Sequence, residues 1–520
     1  MYKGRITGKS VLNIEFRSFY SEILSLGDIL VAEDAENKTK YFLRIVDIKY
    51  GVEASDPDWP NRTAGNMMLM DSMEQPFGLH DKERRLYKIG QCVPLGCIKN
   101  GVFRKAKSLP SHFSKVSSPT EKDFDFLKEF MGDIEVGNLR SGEGILDFNV
   151  GIKGSLFPYH VGVFATTGMG KSNLMKVLAG STLLSGKHGM LIFDPHGEYY
   201  DGGGDSKRKG LIDAPLAEKR LKVYSTRTLS GPYNQLKVSA QEVRIDDLQQ
   251  IYNFSGPQTE ALYSITYHYK KDWLIKLATE EPEEILETIG ANAFQIGTVS
   301  VLKRRAKHII RLSFIHGDQT VSITKNILSD LRNGHLVLVD TSNMRQDEEL
   351  LTSAIITRAV FEANKEAYQK PNLFKKVPPT LIVLEEAQRV LGKESERNLG
   401  IFAQIAREGR KFKTGLCAIT QQPKLVDEEL LSQFNTLFIL GLADERDRSI
   451  LRNSAKHDIS ALGNEIQTLM AGEALITAPE NPFALPAKIF LYEEWIKLIG
   501  SRESGVGSQK QKIETDEGFF

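Results

Sequence analysis

The amino-acid sequence predicts an α/β fold: a mainly parallel sheet carrying a helical insertion, preceded by a small β-barrel. Three observations lead there. Short continuous apolar runs at residues 161–165, 190–193, 336–339, 381–384, 416–420 and 437–440 have the character of strands buried between two layers of helix, as in a parallel sheet. Between about residue 239 and residue 334 these runs give way to long helical patterns. From residue 11 to about residue 97, apolar residues come in short runs separated by Gly, Asp and Asn, the pattern of small antiparallel strands.

A chain of 520 residues is too long for one compact core and implies roughly two or three folding units. Residues 1–100 are expected to form the barrel. From about Lys99 to Thr120 the chain turns basic and Ser/Pro-rich, with Arg104, Lys105, Lys107 and Lys115 interleaved with Pro110 and Pro119, and residues 101–130 are expected to connect the two units. The α/β domain then divides into a first part over 131–238, the helical insertion over 239–334 and a second part over 335–480. Residues 481–520 are expected to form a C-terminal brace and tail. The segment beyond about residue 501 holds too few apolar residues to fold alone and would dock on a neighbour.

Composition is that of an ordinary globular protein, 41% hydrophobic and 26% charged, with 67 Lys and Arg balanced by 67 Asp and Glu. This balance predicts no nucleic-acid partner from net charge, yet leaves room for local basic surfaces. Three cysteines do not make a disulfide framework, and Cys92 and Cys97 lack a second pair or a nearby histidine to complete a zinc site. Lys3, Arg5, Lys9, Glu15 and Glu22 interrupt the first apolar positions, which fits neither a signal peptide nor a membrane anchor. No run approaches the roughly twenty apolar residues of a membrane span. A cytoplasmic protein with no membrane partner is expected.

The segment Ala165-Thr-Thr-Gly168-Met-Gly170-Lys171-Ser172 follows a predicted strand and opens a predicted helix. It matches the P-loop pattern except that alanine replaces the first glycine. Gly168 and Gly170 let successive backbone N–H groups point at phosphate oxygens, and the following helix adds the positive end of its dipole. Thr167, Gly168, Met169, Gly170, Lys171, Ser172 and Asn173 are therefore the expected ATP-binding residues. Lys171 would reach the β- and γ-phosphates, and the Ser172 hydroxyl would ligate Mg²⁺.

Leu381-Ile-Val-Leu-Glu385-Glu386-Ala-Gln388 reads as a buried strand ending in two acids whose side chains face opposite ways. Glu385 is expected to polarise a water of the Mg²⁺ shell. Glu386 is expected to face the γ-phosphate and orient the attacking water. Three further sites stay open between function and structure. Asp194, in Asp194-Pro-His196-Gly-Glu198-Tyr199, could assist the metal or cap a turn. Gln421, after another strand, could sense the γ-phosphate or cap a loop. Arg407 and Arg410, three apart in the stretch 398–412, could be presented to a neighbouring subunit or simply stabilise a helix C-terminus. The basic cluster Lys303-Arg304-Arg305 with Lys307 and Arg311 could touch phosphate or be a solvated helix face, and loops after Val339 or around 393–397 are equally reasonable DNA sites.

These residues resemble the HerA family of hexameric DNA translocases within the wider HerA/FtsK group of RecA-like motors. The resemblance rests on Thr167-Gly-Met-Gly-Lys-Ser172, Phe193-Asp-Pro-His-Gly-Glu-Tyr199, Leu384-Glu-Glu-Ala-Gln388, and Arg407-Glu-Gly-Arg-Lys-Phe412 leading into Thr420-Gln-Gln-Pro423. It implies a RecA-like P-loop motor domain, an N-terminal barrel that serves as a docking platform, and a homohexamer binding ATP between subunits and threading duplex DNA. It also implies an arginine supplied in trans from Arg407 or Arg410. The implied partner is a NurA-type nuclease in DNA end processing, or a defence effector such as a sirtuin-like protein. A ring scaffold that activates a partner enzyme without sustained translocation is the competing expectation. The sequence departs from the family pattern at Gln388, where a histidine is usual, and at Tyr159 and His160, where an arginine reaching nucleotide is common.

Overall fold

The computed structural model describes residues 1–51, 56–72, 85–203, 208–290, 294–317, 322–393 and 400–503. The N-terminal unit contains strands β1 (Tyr2–Ser10), β2 (Asn13–Phe19), β3 (Ile29–Asp34), β4 (Thr39–Gly51), β5 (Tyr87–Lys99), β6 (Val102–Arg104) and β7 (Lys115–Ser117). Their order is β2-β1-β7-β3-β4-β5-β6, and an antiparallel pairing of β2 with β5 closes the sheet on itself. The barrel interior is filled by alternate residues such as Ile14, Phe16, Leu30, Leu43 and Cys92. Within the segment 101–130, marked in the sequence as a connection, β7 pairs with both β1 and β3 and so belongs to the barrel wall. The sequence signal there is weak because Val116 is the one buried residue of that three-residue strand.

The second unit is organised by a sheet in which twelve strands follow the order β13-β12-β16-β11-β17-β18-β10-β19-β20-β21-β8-β9. These are β8 (Ile134–Ser141), β9 (Gly144–Ile152), β10 (Val161–Phe164), β11 (Gly189–Asp194), β12 (Leu221–Ser225), β13 (Asn234–Gln235), β16 (Leu336–Asp340), β17 (Thr380–Leu384), β18 (Thr414–Thr420), β19 (Thr436–Ile439), β20 (Glu473–Thr477) and β21 (Leu485–Ile489). A small separate pair, β14 (Val238–Ser239) and β15 (Ile315–His316), lies in the insertion. From β13 to β19 every pairing is parallel, and from β19 to β9 every pairing is antiparallel. The parallel strands β10, β11, β16, β17, β18 and β19 are buried along their whole length, as their continuous apolar runs require.

Two cores lie on the two faces of this sheet. One joins alternate strand residues such as Leu191, Val339 and Leu384 to the helical insertion and the helix Gln346–Tyr368. The other joins Met190, Ile192 and Val383 to the helix Lys171–Ser185 and, behind it, Tyr492 and Trp495. That helix is buried from Leu174 to Leu183 because it is sandwiched between the sheet and the helix Tyr492–Glu503. At Gly180 a Cβ would lie 2.8 Å from the Trp495 ring, so the absence of a side chain permits the contact. Residues 481–503, expected as a C-terminal brace, are thus built into their own motor unit. The remainder of the predicted tail lies outside the described residues.

Barrel and motor are joined by buried charge. Arg44 of β4 and Arg140 of β8 both donate to Glu465 Oε1, at 2.5 Å and 2.6 Å, and Arg44 also donates to the Ala484 carbonyl at 2.9 Å. Burial alone would raise the Glu465 pKa, but the two guanidinium groups hold it below the usual carboxylate range.

Candidate active site

Parallel strand β10 ends at Phe164, and the chain then turns through Ala165–Gly170 into the helix Lys171–Ser185. Gly168 and Gly170 both have positive φ, +82° and +90°, which a side chain would resist. A Cβ at Gly168 would meet nothing within 4 Å, so the loop leaves open space where phosphates would approach. The loop is fastened from several sides. Thr166 donates from its N–H and Oγ1 to the Gly441 carbonyl, at 3.1 Å and 2.8 Å. Gly472 N–H donates to the Met169 carbonyl at 3.2 Å, and the Met169 side chain packs over Gly441. Asn173 donates from Nδ2 to the Phe490 carbonyl at 2.8 Å and accepts from Tyr492 N–H at 2.9 Å. The Asn173 carboxamide therefore ties the loop helix to the end of β21, so any contact it makes with nucleotide is left to its backbone.

Gln421 follows β18, the strand beside β10, and its Oε1 accepts from Thr167 Oγ1 at 2.6 Å. An exposed amide is thereby held directly against the phosphate loop.

The two acids after β17 divide between the faces of the sheet. Val383 belongs to the core shared with the phosphate-loop helix, and Leu384 to the core shared with the insertion. By the same alternation Glu385 falls on the phosphate-loop side. The Tyr199 phenol donates to its carboxylate. Burial raises the Glu385 pKa, while the Tyr199 hydrogen bond and the charge of Lys171 oppose the rise. Burial, together with the neighbouring Glu385 charge, pushes the Tyr199 hydroxyl well above its ordinary value. Glu386 instead takes a left-handed backbone conformation, φ +48°, and its carboxylate pairs with Arg389. Both acids border a cavity of about 400 Å³ whose lining includes Gln250, Asp347, Glu349, Arg389 and Phe402, and no phosphate-loop residue is among its described lining. The expectation that Glu386 faces the γ-phosphate therefore does not match this conformation, because its left-handed turn aims it across the insertion face.

Asp194, at the end of β11, is buried and encircled by backbone donors. Its Oδ1 accepts from the N–H groups of His196, Gly197 and Glu198 at 3.2, 2.8 and 3.3 Å, and its Oδ2 accepts from Tyr199 N–H at 2.9 Å. With its acceptors spent in this way it organises the turn and presents Tyr199 to Glu385. Of its two open readings, the structure places it as the cap rather than at the metal. Among the described residues no group of three or more His, Cys, Asp or Glu side chains is arranged to hold a metal alone. Mg²⁺ needs no such cage when phosphates and water complete its shell, and a hydroxyl at Ser172 with a carboxylate at Glu385 is a donor set of the right hardness.

Arg407 ends the helix Ile401–Glu408 and bonds Glu429 from Nε at 3.3 Å, while Arg410 lies over the Tyr159 ring at 4.2 Å. Tyr159 precedes β10, so Arg410 sits at the end of the sheet opposite the phosphate loop, separated from it by the length of that strand, about 13 Å at about 3.3 Å per residue. Both side chains are exposed. His160 is buried: its Nδ1 accepts from Leu416 N–H at 3.0 Å, and burial lowers its pKa to about 4. It is a neutral packed side chain and does not stand in for a nucleotide-contacting arginine. In the basic cluster, Lys303 is buried and paired with Glu281 at 2.8 Å, and Arg305 covers the rings of Tyr252 and Phe254, leaving Arg304, Lys307 and Arg311 exposed. Of the loops considered for DNA, residues 394–399 lie outside the described residues. Tyr199, Glu349, Arg389 and Glu465 were not assigned roles from sequence; the Asp194–Tyr199 segment was the one signal that pointed near any of them.

Residues 134–360 match the family model described as the central domain of helicase HerA. The DNA double-strand break repair helicase HerA of Saccharolobus solfataricus is 27% identical over 483 residues, covering 88% of each chain. The helicase of the same name from Sulfolobus acidocaldarius is 28% identical over 415 residues, 79% of each, and that of Sulfurisphaera tokodaii is 26% identical over 456 residues, 84% of this chain and 86% of the relative. No helix among the described residues is long and apolar enough to cross a membrane. A matched central domain that spans the phosphate loop, the Asp194 turn and the insertion, together with relatives aligned along most of the length, makes this chain similar to the HerA helicases.

Proposed function

We propose that this protein is an ATP hydrolase that moves DNA, working as a homohexameric ring around duplex DNA. The observation that carries the reading is the convergence of Lys171, Ser172, Gln421 and the Tyr199-held Glu385 on one open phosphate loop. Similarity to DNA double-strand break repair helicases supports DNA as the substrate moved.

Lys171 and the backbone N–H groups of the loop bind and orient the β- and γ-phosphates. Ser172 and Glu385 would hold Mg²⁺, which when bound neutralises phosphate charge. Gln421, fixed by Thr167, reports whether the γ-phosphate is present. Glu386 orients the attacking water after leaving Arg389. Arg407 and Arg410, at the far end of the sheet from their own loop, serve the site of the next subunit in the ring. The barrel is the docking platform for a NurA-type nuclease in end processing or for a defence effector such as a sirtuin-like protein.

The test is ATP turnover by the purified protein in Mg²⁺ across duplexes of increasing length. Turnover that rises with duplex length and disappears in Lys171→Ala supports translocation. Turnover indifferent to DNA but changed by a partner enzyme would assign the protein to a ring scaffold instead.

A further inference from the structure

Arg389 occupies an unusual position for a cation one turn beyond the acids of the site. Its guanidinium pairs with Glu386 and lies 3.6 Å from Glu349 of the helix Gln346–Tyr368. Glu349 is more deeply placed than either partner, with 19% side-chain exposure against 36% for Arg389 and Glu386. Glu349 thus anchors the arginine from the insertion-facing side, and the arginine in turn holds Glu386. The backbone agrees with this arrangement: Glu386 is a non-glycine residue at φ +48°, a strained conformation that persists when neighbouring contacts over-determine it. The next residues, Ala387–Arg389, form one short turn, so Glu386 and Arg389 stand three apart and their side chains meet.

We infer that Arg389 is a positioning residue that holds Glu386 away from the phosphate loop, and that a DNA backbone phosphate competes for Arg389 and releases the acid for hydrolysis. This rests on the reading of Glu386 as the water-orienting acid. An arginine suits the exchange because its planar fork binds carboxylate and phosphate with the same geometry. Arg389 borders a cavity and is 36% exposed, so its guanidinium is reachable from solvent. Freed from the arginine, Glu386 relaxes toward ordinary backbone geometry, and its side chain is re-aimed. The pair is half-exposed, so its loss shifts the balance of the two conformers by a modest factor, about two- to fivefold.

The experiment measures kcat and KM for ATP in the assembled protein, without DNA and with saturating duplex of one length, for wild type, Arg389→Ala, Arg389→Lys and Glu386→Gln. The expected result is a two- to fivefold rise in DNA-free kcat for Arg389→Ala, with KM for ATP unchanged. The ratio of DNA-stimulated to DNA-free turnover should fall by the same factor, and Arg389→Lys should restore part of that ratio. A merely structural arginine would lower both rates together and leave the ratio alone. That outcome, or a DNA-free kcat in Arg389→Ala at or below wild type while Glu386→Gln is inactive, overturns the latch and leaves the role of Glu386 standing. Wild-type turnover in Glu386→Gln overturns the reading of Glu386 itself, and the latch with it.

Discussion

Tyr199 shows how one buried hydroxyl sets the chemistry of an acid 186 residues away in the chain. Its phenol donates to Glu385, which sits where burial disfavours a negative charge. A hydrogen bond to the ionised form lowers a carboxyl pKa, so removing it lets burial raise the value further. If ionised Glu385 supports hydrolysis, activity rises with pH through its pKa. Tyr199→Phe should therefore move the acidic limb of the kcat profile to higher pH while leaving the rate well above that limb little changed. A limb at the wild-type position would show that Tyr199 does not tune Glu385. His160 illustrates the opposite case, a titratable group next to the phosphate-loop strand that is neutral and hydrogen-bonded to the backbone of β18 in the fold.

At the scale of elements, the phosphate-loop helix is held by side chains remote in sequence. Asn173 makes two hydrogen bonds across 317 and 319 residues to the Phe490–Tyr492 segment, and that segment in turn leads into the helix Tyr492–Glu503 that covers Gly180. Two neutral hydrogen bonds at about 1 kcal/mol each set the expected loss for Asn173→Ala at about 1–2 kcal/mol. Chemical denaturation should read this as a lower midpoint with an unchanged slope. Because the side chain is committed to the protein, the KM for ATP should change far less than in Lys171→Ala. A large KM change with full stability would place the Asn173 side chain on nucleotide after all.

Across the whole molecule, the Arg44–Glu465–Arg140 cluster joins barrel to motor, and its removal should be felt in both. Glu465 has a folded-state pKa below its unfolded value, so its contribution is present at every pH above the unfolded value, about 4.3, and is lost as pH falls through the folded one. Glu465→Gln leaves two buried arginines without a counter-charge and should cost about 3–5 kcal/mol near neutral pH. Thermal unfolding between pH 3 and pH 7 checks the sign: wild type should lose stability below about pH 4.5, and the variant should decline less over that window. The ring has its own test. Arg410→Ala and Lys171→Ala subunits, each inactive alone, should regain part of the ATPase rate when mixed, since some interfaces would pair an intact loop with an intact arginine from next door. Failure to complement, with mixed rings verified by mass, would exclude a trans role for Arg410.

What the sequence determined unaided was local. The phosphate loop, its strand and its helix lie within residues 161–185, and the apolar runs of β10, β11, β16, β17, β18 and β19 could be read because a strand buried on both faces needs no distant information to be recognised. That β17 leads into two acids was equally legible. Which of them faces the loop was not, because periodicity carries no label for the two sides. Only the packing of Val383 against the phosphate-loop helix and of Leu384 against the insertion supplies it. The same reason hid the barrel's β7, three residues in a basic segment whose partners are β1 and β3, and the Arg44–Glu465 pair, whose members are 421 residues apart. Hydrogen bonds and charge pairs form between groups that the fold brings within a few ångströms, and separation along the chain does not encode that distance.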